Sequence, residues 1–110
     1  MVDETIARIE ERIRTNDALP AEKKQELLSL VNALKTEVQS LAQTHGDEVK
    51  SIAAFTETSV YEATRGQPDA ELLRHSLDGM KLSVRRFEVS HPSLVGLINT
   101  IGQTLWKIGI

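Results

Sequence analysis

The chain has no cysteine, which excludes disulfides, thiolate metal sites and cysteine nucleophiles. Aromatic residues make up only 4 %, and proline and glycine are few, at 3 and 6. No charge of one sign dominates: 13 basic residues face 16 acidic ones, a net of −3. That balance argues against nucleic acid as a partner, because neutralising phosphates needs a basic stripe. No apolar run approaches the roughly 18 residues of a membrane-spanning helix. The first residues, Met1 to Glu11, are charged and lack the apolar core of a secretory signal. These absences lead us to expect a single domain over residues 1–110 in the cytoplasm.

What is there is helical periodicity. No strand-like alternation is sustained, and no internal repeat is visible. A short helix is expected over 3–15, with Ile6, Ile9 and Ile13 as a thin apolar stripe. Asn16-Asp17 breaks it, and Pro20 stands where the first turn of the next helix tolerates a missing N–H. From there Leu27, Val31, Leu34, Val38 and Leu41 alternate at spacings of four and three, the seam of a coiled coil or bundle. The same count runs on to His45, Glu48, Ile52 and Phe55. Residues 20–64 therefore form either one long helix or a hairpin turning at Gly46. A glycine inside a helix costs only about 1 kcal/mol, so the unbroken register favours the long helix. Such a helix needs a second chain to cover its seam. Glu48, on that seam, reads as the mark of a frayed end.

A third helix, 69–88, follows the break at Gly66-Gln67-Pro68, with Leu73, Leu77, Met80, Val84 and Phe87 as its seam. Ser90-His91-Pro92 is a boundary: the residue before proline is pushed out of the α region, and Ser90 or His91 can cap a new helix with Pro92 in its first turn. In that helix, 92–108, Leu94, Ile98, Ile101, Leu105 and Ile108 form the seam and Trp106 borders it. Asn99, Thr100, Gln103, Thr104 and Lys107 occupy the other half. Gly109 stands where a left-handed C-cap belongs, with Ile110 as its apolar partner. The expected fold is all-α, four to five helices with coiled-coil-like seams, assembled as a dimer. The expected interface is Leu27, Val31, Leu34, Val38, Leu41, Leu94, Ile98, Ile101, Leu105, Trp106 and Ile108.

Chemistry is harder to find. His45 and His91 sit beside expected helix ends and His75 lies on a polar face; no pair has helical metal-site spacing and no H-E-x-x-H or E-x-x-H occurs. No cofactor is implied. Arg85-Arg86 reads as a solvated face, and Tyr61 as a residue packed at a helix end. Ser90 has no His–Asp framework visible in sequence, so capping is the simpler role.

The segment Phe87–Pro92 (F-E-V-S-H-P), the apolar helix after it and the closing Gly109-Ile110 resemble a family of short bacterial proteins of unknown function ending in F-E-x-S-H-P, an apolar helix and Gly-Ile. The resemblance covers residues 69–110, more weakly Leu27–Leu41, with 42–65 reading as an insertion. The Trp106-Lys107 pair departs from the small polar residues such endings carry. The resemblance implies a small helical protein and marks Phe87, Glu88, Ser90, His91 and Pro92 as a shared helix corner. It supplies no activity. The function expected is therefore a non-enzymatic structural or interaction module that self-associates or holds a protein partner. The alternatives are a membrane surface bound through Leu94–Ile110 and an enzyme with its site at the Glu88–His91 corner. A membrane-bound helix of this kind usually carries many Lys and Arg, and this one has only Lys107.

Overall fold

A computed structural model describes residues 2–110. Its order is α1 (Val2–Thr15), α2 (Ala21–Leu41), α3 (Gly46–Thr64), α4 (Ala70–Val84), a 3-10 turn (Arg85–Phe87) and α5 (Pro92–Gly109). The expected all-helical architecture is the one observed.

The long helix is not. α2 ends at Leu41 and α3 begins at Gly46, with His45 as N-cap in a non-helical conformation (φ −132°, ψ 53°). The residues between close the α2 end, His45 N donating to Leu41 O at 2.8 Å and Thr44 N to the same carbonyl at 3.1 Å. The apolar register read across Gly46 does not hold in α3: Phe55 is 41 % exposed and Glu48 only half-buried, and the buried face includes Val49, Ile52, Ala53, Thr56, Val60 and Ala63. Gly46 keeps a negative φ and an open flank, so neither a left-handed turn nor crowding requires it.

Cross-helix contacts set the directions. Asp3 meets Gln39 and Arg14 meets Lys24, so α1 and α2 are antiparallel. Arg8 meets Glu57 and Arg12 meets Thr64, so α1 and α3 are parallel. Arg86 reaches Glu48, and Phe55 lies over Gly79, making α4 antiparallel to α3. Thr104 bonds Glu26 and Ser93 bonds Glu37, making α5 antiparallel to α2. α1, α3 and α5 thus run one way, α2 and α4 the other. Around the bundle the order is α1, α2, α5, α4, α3 and back to α1, with α5 also reaching α3. α2 and α3 are consecutive yet scarcely touch; α1 lies between them, its Ile6, Ile9 and Ile13 buried.

The seams expected on α1, α2, α4 and α5 meet in this one core. Leu27, Val31, Leu34, Val38 and Leu41 are buried, as are Leu94, Ile98, Ile101 and Leu105. Burying one such side chain contributes about 1.5–3 kcal/mol, so exposing the set to a second chain would dismantle the monomer's own interior. Their assignment as an intermolecular interface is corrected on that ground; Trp106 and Ile108 alone of the expected set remain half-buried. The same burial turns the apolar face of α5 into the bundle. No helix among the described residues is long and apolar enough to cross a membrane.

The helix ends differ in detail from expectation. Asp69 caps α4, accepting from the backbone N–H groups of Glu71 and Leu72 at 2.9 and 3.1 Å. α4 ends at Val84 and tightens into the 3-10 turn before Glu88. Gly109 is not a left-handed cap: no glycine among the described residues has positive φ, and Ile110 N continues the helical pattern to Trp106 O at 3.0 Å. What Gly109 permits is close approach, since a Cβ there would stand 2.5 Å from Leu73 Cδ2 and 3.2 Å from Ala63 Cα.

Candidate functional site

The helix corner forms as expected in outline, with a structural logic the sequence hides. Phe87 is buried between two histidines, its ring edge-on to His45 at 5.3 Å and to His91 at 5.5 Å. Both histidines are N-caps with nearly the same backbone, and neither side chain caps its helix. Each takes its preceding hydroxyl at Nδ1: Thr44 Oγ1 at 2.8 Å from His45, Ser90 Oγ at 2.9 Å from His91. Thr44-His45 and Ser90-His91 thus make the same turn twice, clamping one phenylalanine. Aromatic pairs of this kind contribute about 0.5–1.5 kcal/mol beyond area burial. Glu88 and Ser90 are exposed and Pro92 opens α5. Glu48 is no frayed end: it pairs with Arg86 across α3 and the 3-10 turn, while Arg86 itself stays largely exposed. The corner reads as a joint.

The larger recesses lie elsewhere. One, of about 340 Å³, runs between α1 and α3 past Ile9, Val60 and Tyr61. Its polar groups answer one another. Arg8 Nε donates to Glu57 at 2.8 Å, and the Arg12 guanidinium lies 4.6 Å from the centre of the Tyr61 ring. The Glu57 hydrogen bond and charge hold Arg8 above its ordinary pKa. Tyr61 is half exposed rather than packed.

The recess between α4 and α5, about 590 Å³, is different. Leu77 and Gly102 form its floor. α4 lines one wall with Arg74, Asp78 and Lys81; α5 lines the other with Asn99, Gln103 and Trp106. Each set spans two helical turns at spacings of four and three, so each projects along one edge. The antiparallel pairing puts Arg74 beside Trp106, its guanidinium 5.5 Å from the indole centre. That is a cation–π contact. No ion pair or side-chain hydrogen bond engages Arg74, Asp78, Lys81, Asn99 or Gln103 among the described residues.

The distribution of unpaired cations sharpens the contrast. Arg8, Arg14, Lys23, Arg65 and Arg86 have carboxylate partners. Arg12 and Lys24 bond Thr64 and a backbone carbonyl. Arg74, Lys81, Arg85 and Lys107, on or beside the α4–α5 groove, have none; elsewhere only Lys35 and Lys50 share that state among the described residues. A protein of net charge −3 therefore carries a locally basic groove. Of its lining, the sequence reading singles out only Trp106 as a site residue. The four-three spacing of Arg74, Asp78 and Lys81 is legible in the sequence; what it cannot reveal is that they face Asn99 and Gln103. No group of three or more His, Asp or Glu side chains converges as metal ligands among the described residues.

A family model described as Domain of unknown function (DUF4404) matches residues 27–110. The matched span takes in the α2 seam, the middle segment 42–65, the clamped corner and the α4–α5 groove, and leaves α1 outside. No curated protein and no solved structure matches the chain. With most of its length inside the match, groove and corner included, the chain belongs to the DUF4404 family of domains of unknown function.

Proposed function

We propose that the protein is a non-enzymatic interaction module of the cytoplasm and that the α4–α5 groove is the surface on which it holds a protein partner. The observation that carries this reading is the groove's unanswered polar lining. Arg74, Asp78, Lys81, Asn99 and Gln103 converge on one recess with no partner in their own chain, while the α1–α3 recess satisfies itself. All five side chains are exposed, so a second surface engages them without breaking any contact within the chain, and charge-assisted hydrogen bonds to it are the strong ones. Trp106, half-buried at the groove's edge, adds the aromatic anchor that interfaces favour.

A photo-crosslinking amino acid placed at Gln103 in the producing cell tests the proposal, with the same probe at exposed Asn32 on α2 as control. A discrete protein adduct from position 103, absent from position 32 and lost when Gly102→Leu fills the groove floor, is the expected result. An adduct of twice the 12.2 kDa chain mass would identify the partner as a second copy, meeting through this groove instead of the buried seams. No adduct at 103, or equal adducts at both positions, would refute the reading.

A further inference from the structure

We infer that the occupant of the α4–α5 groove is an extended, acidic segment of a partner protein; this rests on the groove being the docking surface proposed above.

The first argument is spacing. Residues one turn apart on a helix are separated by about 6 Å along its axis. Alternate residues of an extended chain are separated by about 6.6–6.8 Å. Asn99 and Gln103 are one turn apart on α5 and both line the groove. Each side-chain amide offers a donor and an acceptor. An extended backbone presents unpaired N–H and C=O groups that need such partners when buried. The two amides therefore match the backbone of alternate residues. A helical occupant, its backbone already bonded internally, has only side chains to offer them.

The second argument is charge. Arg74 and Lys81 are about 10.5 Å apart along α4, the reach of about three extended residues. Neither has a carboxylate partner, and Arg85 and Lys107, outside the lining, follow four residues after the lining residues Lys81 and Gln103. The stacking of Arg74 on Trp106 holds its guanidinium in place to take a carboxylate. Asp78, between the two cations, repels a carboxylate at the middle and accepts a backbone N–H or hydroxyl. The pattern selected is an acidic side chain at each end of a short uncharged stretch.

The third is the floor. Gly102 would place a Cβ within 4 Å of nothing except Leu77 Cδ2, at 3.9 Å. The fold itself leaves this space open, and a backbone can descend to α5 there.

The test uses the full chain and capped synthetic heptapeptides rich in Val and Thr that carry two Glu residues at varied separation. Controls are the same peptides with Lys for Glu, and a lactam-bridged helical peptide of equal acidity. Trp106, the sole tryptophan, reports occupancy by its fluorescence. We expect a saturable change with the extended acidic peptides and none with the Lys series. Lys81→Met should weaken binding about tenfold, the loss of one charge-assisted hydrogen bond. Gly102→Leu, verified as folded by circular dichroism, should abolish it, and Lys50→Ala on α3 should change nothing. Equal binding of the Lys series, tighter binding of the helical peptide, or full displacement by inorganic phosphate or a DNA oligonucleotide would overturn the inference. If the Gln103 adduct forms while these peptides stay inert, the docking surface stands and the acidic extended occupant falls; if both fail, both fall.

Discussion

Replacing Gly102 with alanine should stabilise the fold, which is unusual for a change on a surface facing another helix. Gly102 lies in the interior of α5 with helical backbone and negative φ. Glycine there costs about 0.8–1.0 kcal/mol relative to alanine, because the unfolded chain gives up more freedom. The new methyl would meet Leu77 Cδ2 at 3.9 Å, an ordinary van der Waals distance, and nothing else. The net is a gain of about 1 kcal/mol, or roughly 4 °C in Tm for a chain of this size. Gly109→Ala, on the same helix, should do the opposite. Its Cβ would stand 2.5 Å from the fully buried Leu73 and 3.2 Å from the α3 backbone at Ala63, an overpacking that costs about 1–3 kcal/mol. Urea titration followed by far-UV circular dichroism measures both, with unchanged slopes certifying a two-state comparison. A Gly102→Ala protein less stable than the parent would refute the reasoning, for it would mean that the groove floor is closed by the chain itself.

Other perturbations follow from single contacts. Ser59 Oγ is buried with no hydrogen-bond partner, so Ser59→Ala should leave stability unchanged or raise it by about 1 kcal/mol in thermal unfolding. Removing the α4 cap with Asp69→Ala should cost about 1 kcal/mol, and Asp69→Asn should restore most of it, by the same urea titration. Leu34→Asp places an unpaired charge in the monomer's core at a cost of several kcal/mol. The expected result is loss of helical signal; a folded protein of halved mass in sedimentation would instead restore the dimer seam.

How far the sequence speaks depends on whether a feature is local. Apolar spacing marked the helices because burial needs one face, and Leu27 through Leu41 and Leu94 through Leu105 are that face. Pro20 and Pro92 marked helix starts because proline tolerates only certain positions. The break before Gly46 was ambiguous because spacing fixes which face is apolar, not whether the backbone is continuous. Partner choice was invisible for the same reason. A seam reads alike whether a second chain covers it or α1, α4 and α5 do. The groove was half visible: its two sets of side chains lie at helical spacing, but their meeting is a product of packing. The clamp on Phe87 joins residues more than forty positions apart, and only the repeated hydroxyl–histidine pair at Thr44-His45 and Ser90-His91 hinted at it.

The ring of helices also sets a timetable. α2 leans on α1 before it and on α5 three helices further along, and hardly on α3, its successor. α1 completes its packing only once α3 exists, and α2 only once α5 does. A nascent chain can pair α1 with α2, but the face of α2 that α5 covers stays open until α5 is made. Synthesis delivers N-terminal segments first, so an unfinished chain of this protein is a client for whatever shields hydrophobic surface at the ribosome. Truncation within α5 should leave not a smaller domain but an unclosed one.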